Sequence, residues 1–219
     1  KTKLQFCSIT QRFALKYQPV CIIMTPERAK KLEEVINKRQ NGLTVVMENV
    51  HDPHNIYAVM RTCDAVGIQD IYVLNTQLPK EGYYGIKSSS SANKWLTIHS
   101  FNNVNECFAA LRTKYQAIYT TYLGESSKSV YDINLTNSIA LVFGNEHKGV
   151  SKEARDLADG NFIIPQVGMI PSLNISVACA VAIYEAFRQR KVAGLYDQGK
   201  QPHPDAEQIK TLWASFSAI

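Results

Sequence analysis

The chain has 219 residues, 45% of them apolar and 20% charged, the balance of a soluble globular protein with room for one substantial α/β core and short appendages. Its 24 Lys and Arg outnumber 19 Asp and Glu, a net charge of +5, which an anionic partner would suit and which solvated surface lysines explain equally well. The five cysteines, Cys7, Cys21, Cys63, Cys107 and Cys179, are odd in number, far apart and lack a C-x-x-C pair; reduced thiols in the cytoplasm fit that pattern, a zinc site or disulfide framework does not, and no apolar run approaches membrane-spanning length.

Residues 1–23 read as an N-terminal extension. They carry Lys1, Lys3, Arg12 and Lys16 with no acid before Glu27, a composition shared by organelle-targeting peptides, by basic arms that touch RNA, and by a plain appendage ahead of a chain start at Met24. In the next unit, residues 24–42, Thr25 is an N-cap, Pro26 takes the first helical position, and a charged helix from Glu27 to Arg39 ends near Asn41-Gly42.

From Leu43 the pattern alternates. Strands are predicted at Leu43 to Val50, Asp70 to Leu74, Leu96 to His99, Ala117 to Thr121, Ile139 to Phe143 and Phe162 to Ile164. Helices are predicted at Asn55 to Val66, Val104 to Lys114, Ser151 to Ala158 and Asn174 to Lys191, and the segment from Thr76 to Lys94, with its Ser88 to Ser91 run, reads as an irregular loop. Such alternation implies an α/β fold, a mainly parallel sheet flanked by helices on both faces, with ligands gathered at the carboxyl ends of the strands. The core unit spans 43–194, and residues 195–219 form a C-terminal tail.

Three strand-to-helix junctions carry chemistry-bearing residues: His54-Asn55-Ile56-Tyr57-Ala58-Val59-Met60-Arg61, Gly144-Asn145-Glu146-His147-Lys148-Gly149, and the run from Ile164 through Gly168 and Pro171 to Ser172-Leu173-Asn174. Singly, each has a plain reading. Asn55 can be an N-cap, Arg61 a surface arginine, Gly144 the end of a strand and Gly168 punctuation before a helix. In this order, and with the helix tail from Tyr184 to Tyr196, they resemble the three motifs of the SpoU/TrmH family of RNA 2′-O-ribose methyltransferases over about residues 25 to 213.

The resemblance implies a SPOUT fold whose C-terminal part is tied in a deep trefoil knot, an exception to the rule that chains avoid threading. It implies S-adenosyl-L-methionine as cofactor, held largely by main-chain groups at Thr121, Gly144, Ile164, Met169 and Leu173. The absence of a G-x-G-x-x-G after an early strand also disfavours a Rossmann-type methyltransferase. The implied catalytic set is Arg61, Asn55, Glu146, Ser172 and Asn174. Family analogy makes Arg61 a general base, yet a neutral guanidinium at pH 7 costs on the order of 7–9 kcal/mol. Arg61 is therefore expected to act as a cation that orients the phosphate and stabilises the developing alkoxide, with the proton acceptor left open.

Family members are homodimers with the active site near the interface, for which the apolar face of Ile175 to Phe187 is a candidate, as it is for plain core. Lys38, Arg39, Arg188, Arg190 and Lys191, at the ends of two helices, are the expected phosphate-contacting surface; generic solvation of helix C-termini is the competing account. The stretches Leu43 to Asn55 and Pro204 to Gln208 are similar to the tRNA-modifying members, so the implied reaction is 2′-O-methylation of guanosine 18 in the tRNA D-loop, with no metal and no membrane. Ile56-Tyr57 and Ile170-Pro171 depart from the family pattern and bear on nucleotide selection. Methylation of ribosomal RNA or of the tRNA wobble ribose, and a non-catalytic RNA-binding knot protein, are the alternatives.

Overall fold

Every residue of strand β1 (Leu43–Glu48) is buried, because β-branched residues crowd a strand that is covered on both faces. A computed structural model describes residues 25–77, 91–197 and 203–216. The extension 1–23 and most of the Ser88 to Ser91 run lie outside them. Strands β2 (Asp70–Leu74), β3 (Thr97–Phe101), β4 (Ala117–Thr121), β5 (Lys128–Ser129), β6 (Ile139–Phe143) and β7 (Gly160–Ile163) complete one sheet in the order β3-β2-β1-β6-β4-β7-β5. All its pairings are parallel. Strands β2 and β3 lie on one side of β1 and β4 to β7 on the other, with β6 directly beside β1, so β1 and β6 flank a topological switch point.

Side-chain alternation divides the core between the two faces. Val45 and Met47 pack with Val59 and Met60 of α2 (Pro53–Ala65) and with Cys179, Ala182 and Ile183 of α5 (Ile175–Val192). Val46 and Leu74 face the other way, onto Val104 and Leu111 of α3 (Val104–Lys114) and Ala154 of α4 (Lys152–Leu157). A third cluster joins Leu32 and Ile36 of α1 (Pro26–Ile36) to Ile209 and Trp213 of α6 (Ala206–Ser215). The tail read from sequence thus contains a helix that docks on α1.

Helix α1 begins as expected, with Pro26 in the first turn and the Thr25 hydroxyl accepting from the Arg28 N–H. It stops at Ile36, three residues early. The chain leaves it so that Gln40 can bridge to Ile68 beside the sheet, and this turns Arg39 inward. Strand β3 lies one residue later than expected at its start because it runs in register with β2, from Asp70 opposite Thr97 to Leu74 opposite Phe101.

Two of the basic residues expected to contact phosphate are corrected by burial, each being 1% exposed. Arg39 donates to Asp64 Oδ1 at 2.6 Å and to the Ile68 carbonyl at 3.1 Å, and its guanidinium lies 4.9 Å from the Trp213 ring centre. Arg190 donates to the carbonyls of Leu135 (2.8 Å), Gly42 (2.6 Å) and Asn137 (2.6 Å) and to Gln40 Oε1 (3.2 Å). Burial without a contacting carboxylate lowers its pKa to about 10, which leaves it charged at neutral pH. Neither guanidinium is presented to solvent.

Arg190 clamps the end of α5 to the turns that precede β1 and β6, and Gln189 beside it donates to the Ile133 carbonyl and accepts from the Leu135 N–H. Replacing Arg190 by alanine strands four buried or part-buried acceptors, so Arg190→Ala is expected to lower unfolding free energy by about 3 kcal/mol or more. Urea denaturation checks this, and a change below about 1 kcal/mol contradicts the clamp.

Candidate active site

Three chain segments meet at the carboxyl edge of the sheet. The first opens α2: Asp52 is the N-cap, its carboxylate accepting from the His54 N–H at 2.9 Å, and Pro53 stands in the first turn. Asn55 is therefore not the cap. It lies in the first turn with its side chain buried.

The second segment follows β6. Gly144 is obligatory there, because a Cβ would sit 2.1 Å from the Gly149 carbonyl carbon and 2.2 Å from the Val150 nitrogen. The loop folds back on itself through paired backbone bonds between Asn145 and Gly149, and Gly149 takes φ +66°, which its lack of a Cβ permits. Asn145, to which the sequence suggested no role, organises this loop. Its amide donates to the Asn49 carbonyl at 2.9 Å and its oxygen accepts from the His147 and Lys148 N–H groups. An asparagine between a strand-ending glycine and a catalytic candidate is the kind of Asx turn that could have marked it.

The third segment runs from Ile164 to Leu173 and enters α5 through Asn174, which caps the helix by accepting from the Ser176 N–H at 2.8 Å. The Asn174 amide then donates to Asn55 Oδ1 at 3.1 Å, and the Asn55 amide donates to Glu146 Oε1 at 2.8 Å. One buried side chain joins all three motifs.

Beside this relay, at the ends of the adjacent strands β6, β4 and β7, lies a cavity of about 460 Å³. Thr121, Gly144, Ile164 and Leu173 line it, as do Glu146 and Ser172. Met169 does not. Its side chain is fully exposed, with Val167 and Ile170 also turned outward. Sequence reasoning missed Tyr122 and Arg155, which stack across the cavity wall with the guanidinium carbon 3.9 Å from the ring centre.

Arg61 stands apart from both features. It is exposed on α2, lines no part of the cavity, and has no hydrogen-bond or ion-pair partner among the described residues. Of the expected phosphate contacts, Lys38 and Lys191 are exposed, whereas Arg188 is held by Glu185 through two hydrogen bonds of 2.9 and 2.8 Å. No group of three or more His, Cys, Asp or Glu placed to hold a metal occurs among the described residues, and none of their helices is long and apolar enough to cross a membrane.

The cavity has the size of a cofactor site. Phe143, Phe162 and Ile175 offer apolar walls for a planar ring, and the strand ends offer main-chain donors and acceptors. A parallel α/β sheet with a backbone-built cavity at three adjacent strand ends, and carboxylate, amide and hydroxyl groups at its rim, defines a cofactor-dependent α/β enzyme. The chain belongs to the SpoU rRNA methylase family, whose model matches residues 42–184.

It is 40% identical over 193 residues to the tRNA (guanosine(18)-2′-O)-methyltransferase of Thermus thermophilus, covering 88% of this chain and 96% of that one. Among solved structures it resembles the TrmH/SpoU tRNA-modifying enzyme of Aquifex aeolicus, with a TM-score of 0.78 and 34% identity over 88% of this chain and 98% of that one. It also resembles the SpoU methyltransferase AviRb of Streptomyces viridochromogenes, solved in complex with the cofactor AdoMet, with a TM-score of 0.62 and 26% identity over 72% and 61% of the two chains.

The close approach at Gly144 makes a local prediction. Gly144→Ala must push the 145–149 loop away from the cavity, so affinity for S-adenosylhomocysteine should fall at least about tenfold, equivalent to 1.4 kcal/mol. Isothermal titration calorimetry measures it; wild-type affinity in a folded variant contradicts the role given to this contact.

Proposed function

We propose that the chain transfers a methyl group from S-adenosyl-L-methionine to a ribose 2′-hydroxyl of tRNA, that of guanosine 18 in the D-loop. The observation that carries this is the convergence of Asn55, Glu146 and Asn174 at the rim of a cofactor-sized cavity, in a chain whose nearly full-length relatives bear the name of that reaction. When bound, the cofactor supplies an electrophilic methyl group on a sulfonium centre. The cavity's apolar walls and the main-chain edges at Thr121, Gly144, Ile164 and Leu173 would hold it.

The protein's own contribution is alignment and charge. Asn174 and Asn55 fix the Glu146 carboxylate at the rim, and Ser172 on the facing loop offers a hydroxyl to the ribose or the cofactor. Arg61 orients the phosphate next to the target ribose and offsets negative charge as the 2′-oxygen reacts. Because Arg61 faces solvent away from the cavity lining, it reaches the reacting group most directly in a homodimer whose interface lies beside the site. The exposed Val177 and Tyr184 on α5 support such an interface.

The reading includes the deep trefoil knot. Supporting it, the last turns of α5 bond to carbonyls of the 133–137 segment, while Arg190 also reaches back to Gly42. Lys38 and Lys191, with Arg188 shared by Glu185, supply the phosphate-contacting surface. The 43–194 unit is the methyltransferase domain, flanked by the units at 24–42 and 195–219, and the buried free thiols of Cys63, Cys107 and Cys179 suit the reducing cytoplasm.

Incubating the protein with unmodified tRNA and methyl-labelled S-adenosyl-L-methionine, then mapping the label by mass spectrometry, tests the reading. Label is expected on the ribose of guanosine 18 and should vanish in Arg61→Ala. Arg61→Lys should restore little, because a point charge does not reproduce the planar guanidinium fork. Methylation of a ribosomal fragment or an anticodon loop, with position 18 untouched, rejects the substrate and leaves the reaction class standing.

A further inference from the structure

Of the side chains that line the cavity, two carry a carboxylate or an imidazole, Glu146 and His147. They are placed differently. Glu146 Oε1 accepts from the Asn55 amide at 2.8 Å, and Asn55 is fixed in turn by Asn174, so the carboxylate is aimed by a neutral, buried relay. Its second oxygen has no partner among the described residues, and none of Lys148, Arg155 or His147, which share the cavity lining, pairs with it. His147 is anchored only through its backbone, whose N–H donates to Asn145 Oδ1, and its ring stands exposed near the loop tip.

From this geometry we infer that Glu146 is the proton acceptor for the ribose 2′-hydroxyl, an inference that rests on the methyltransferase reading above. In the transfer, the 2′-oxygen forms a bond to the methyl carbon as the carbon–sulfur bond breaks, and that bond's electron pair returns to sulfur to leave a neutral thioether. The hydroxyl proton becomes strongly acidic as the oxygen–carbon bond forms. It passes to Glu146 Oε2 and from there to water. A carboxylate is therefore basic enough, and no neutral guanidinium is needed. Arg61, which offers no acceptor and does not line the cavity, keeps the role of a fixed cation.

Glu146→Gln separates this from a purely architectural role, since the glutamine oxygen can still accept from Asn55 while the basic oxygen is lost. Affinity for S-adenosylhomocysteine by calorimetry should be unchanged. The kcat on a tRNA transcript should fall by about 100-fold or more, the usual span for a lost general base. The acid limb of the wild-type kcat profile should disappear in Glu146→Gln and persist in His147→Gln, and Glu146→Asp should regain part of the rate. A kcat loss of less than about 100-fold, loss of S-adenosylhomocysteine binding, or an acid limb that follows His147 instead overturns the inference. A wild-type protein that methylates no tRNA defeats the underlying reading, not this assignment.

Discussion

The side-chain amide of Asn55 is the contact on which the site depends. Its two ends are both engaged, with the nitrogen donating to Glu146 and the oxygen accepting from Asn174, across 91 and 119 residues of sequence. A buried amide left unsatisfied costs roughly 1–3 kcal/mol per group, so the two partners are held where they complete it. Those partners belong to the loop after β6 and to the cap of α5, and these two loops form two walls of the cavity. Cavity shape and the placement of the Glu146 carboxylate are thereby linked through one residue at the start of α2.

Around that contact the fold supplies rigidity by different means at the two ends of α5. At its N-terminus Asn174 both caps the helix and joins the relay, so the cap and the site are one structure. At its C-terminus Arg190, a buried cation with no carboxylate against it, gathers three carbonyls and an amide oxygen from two separate segments. A guanidinium suits this task because its five donors lie in one plane and stay charged even with the pKa lowered to about 10. The helix is pinned at both ends while its middle, Cys179, Ala182 and Ile183, packs against β1 and α2.

Much of the fold was legible because strand burial and strand-helix alternation are local properties. Strands β2, β4 and β6 and helix α3 occupy the expected residues, each an apolar run bounded by clear punctuation. Strand β5 has two residues and no apolar pattern to announce it, and α6 was hidden because its apolar pair, Ile209 and Trp213, is meaningful only against α1. Arg39 and Arg190 misled for a related reason. A basic residue at a helix end reads as solvated, and the carbonyls that bury Arg190 lie 53 to 148 residues away in sequence. At the site, the resemblance brought Asn55, Glu146 and Asn174 to notice, and their bonding could only come from the tertiary structure.

A double-mutant cycle in cofactor affinity tests the central claim most directly. If Asn55 and Asn174 act through one relay, then Asn55→Ala, Asn174→Ala and the double variant should each weaken S-adenosylhomocysteine binding by similar amounts, with a coupling energy of about 1 kcal/mol or more in calorimetry. Losses that simply add, with coupling within about 0.3 kcal/mol of zero, would mean that the two asparagines act independently and that the cavity does not depend on their contact.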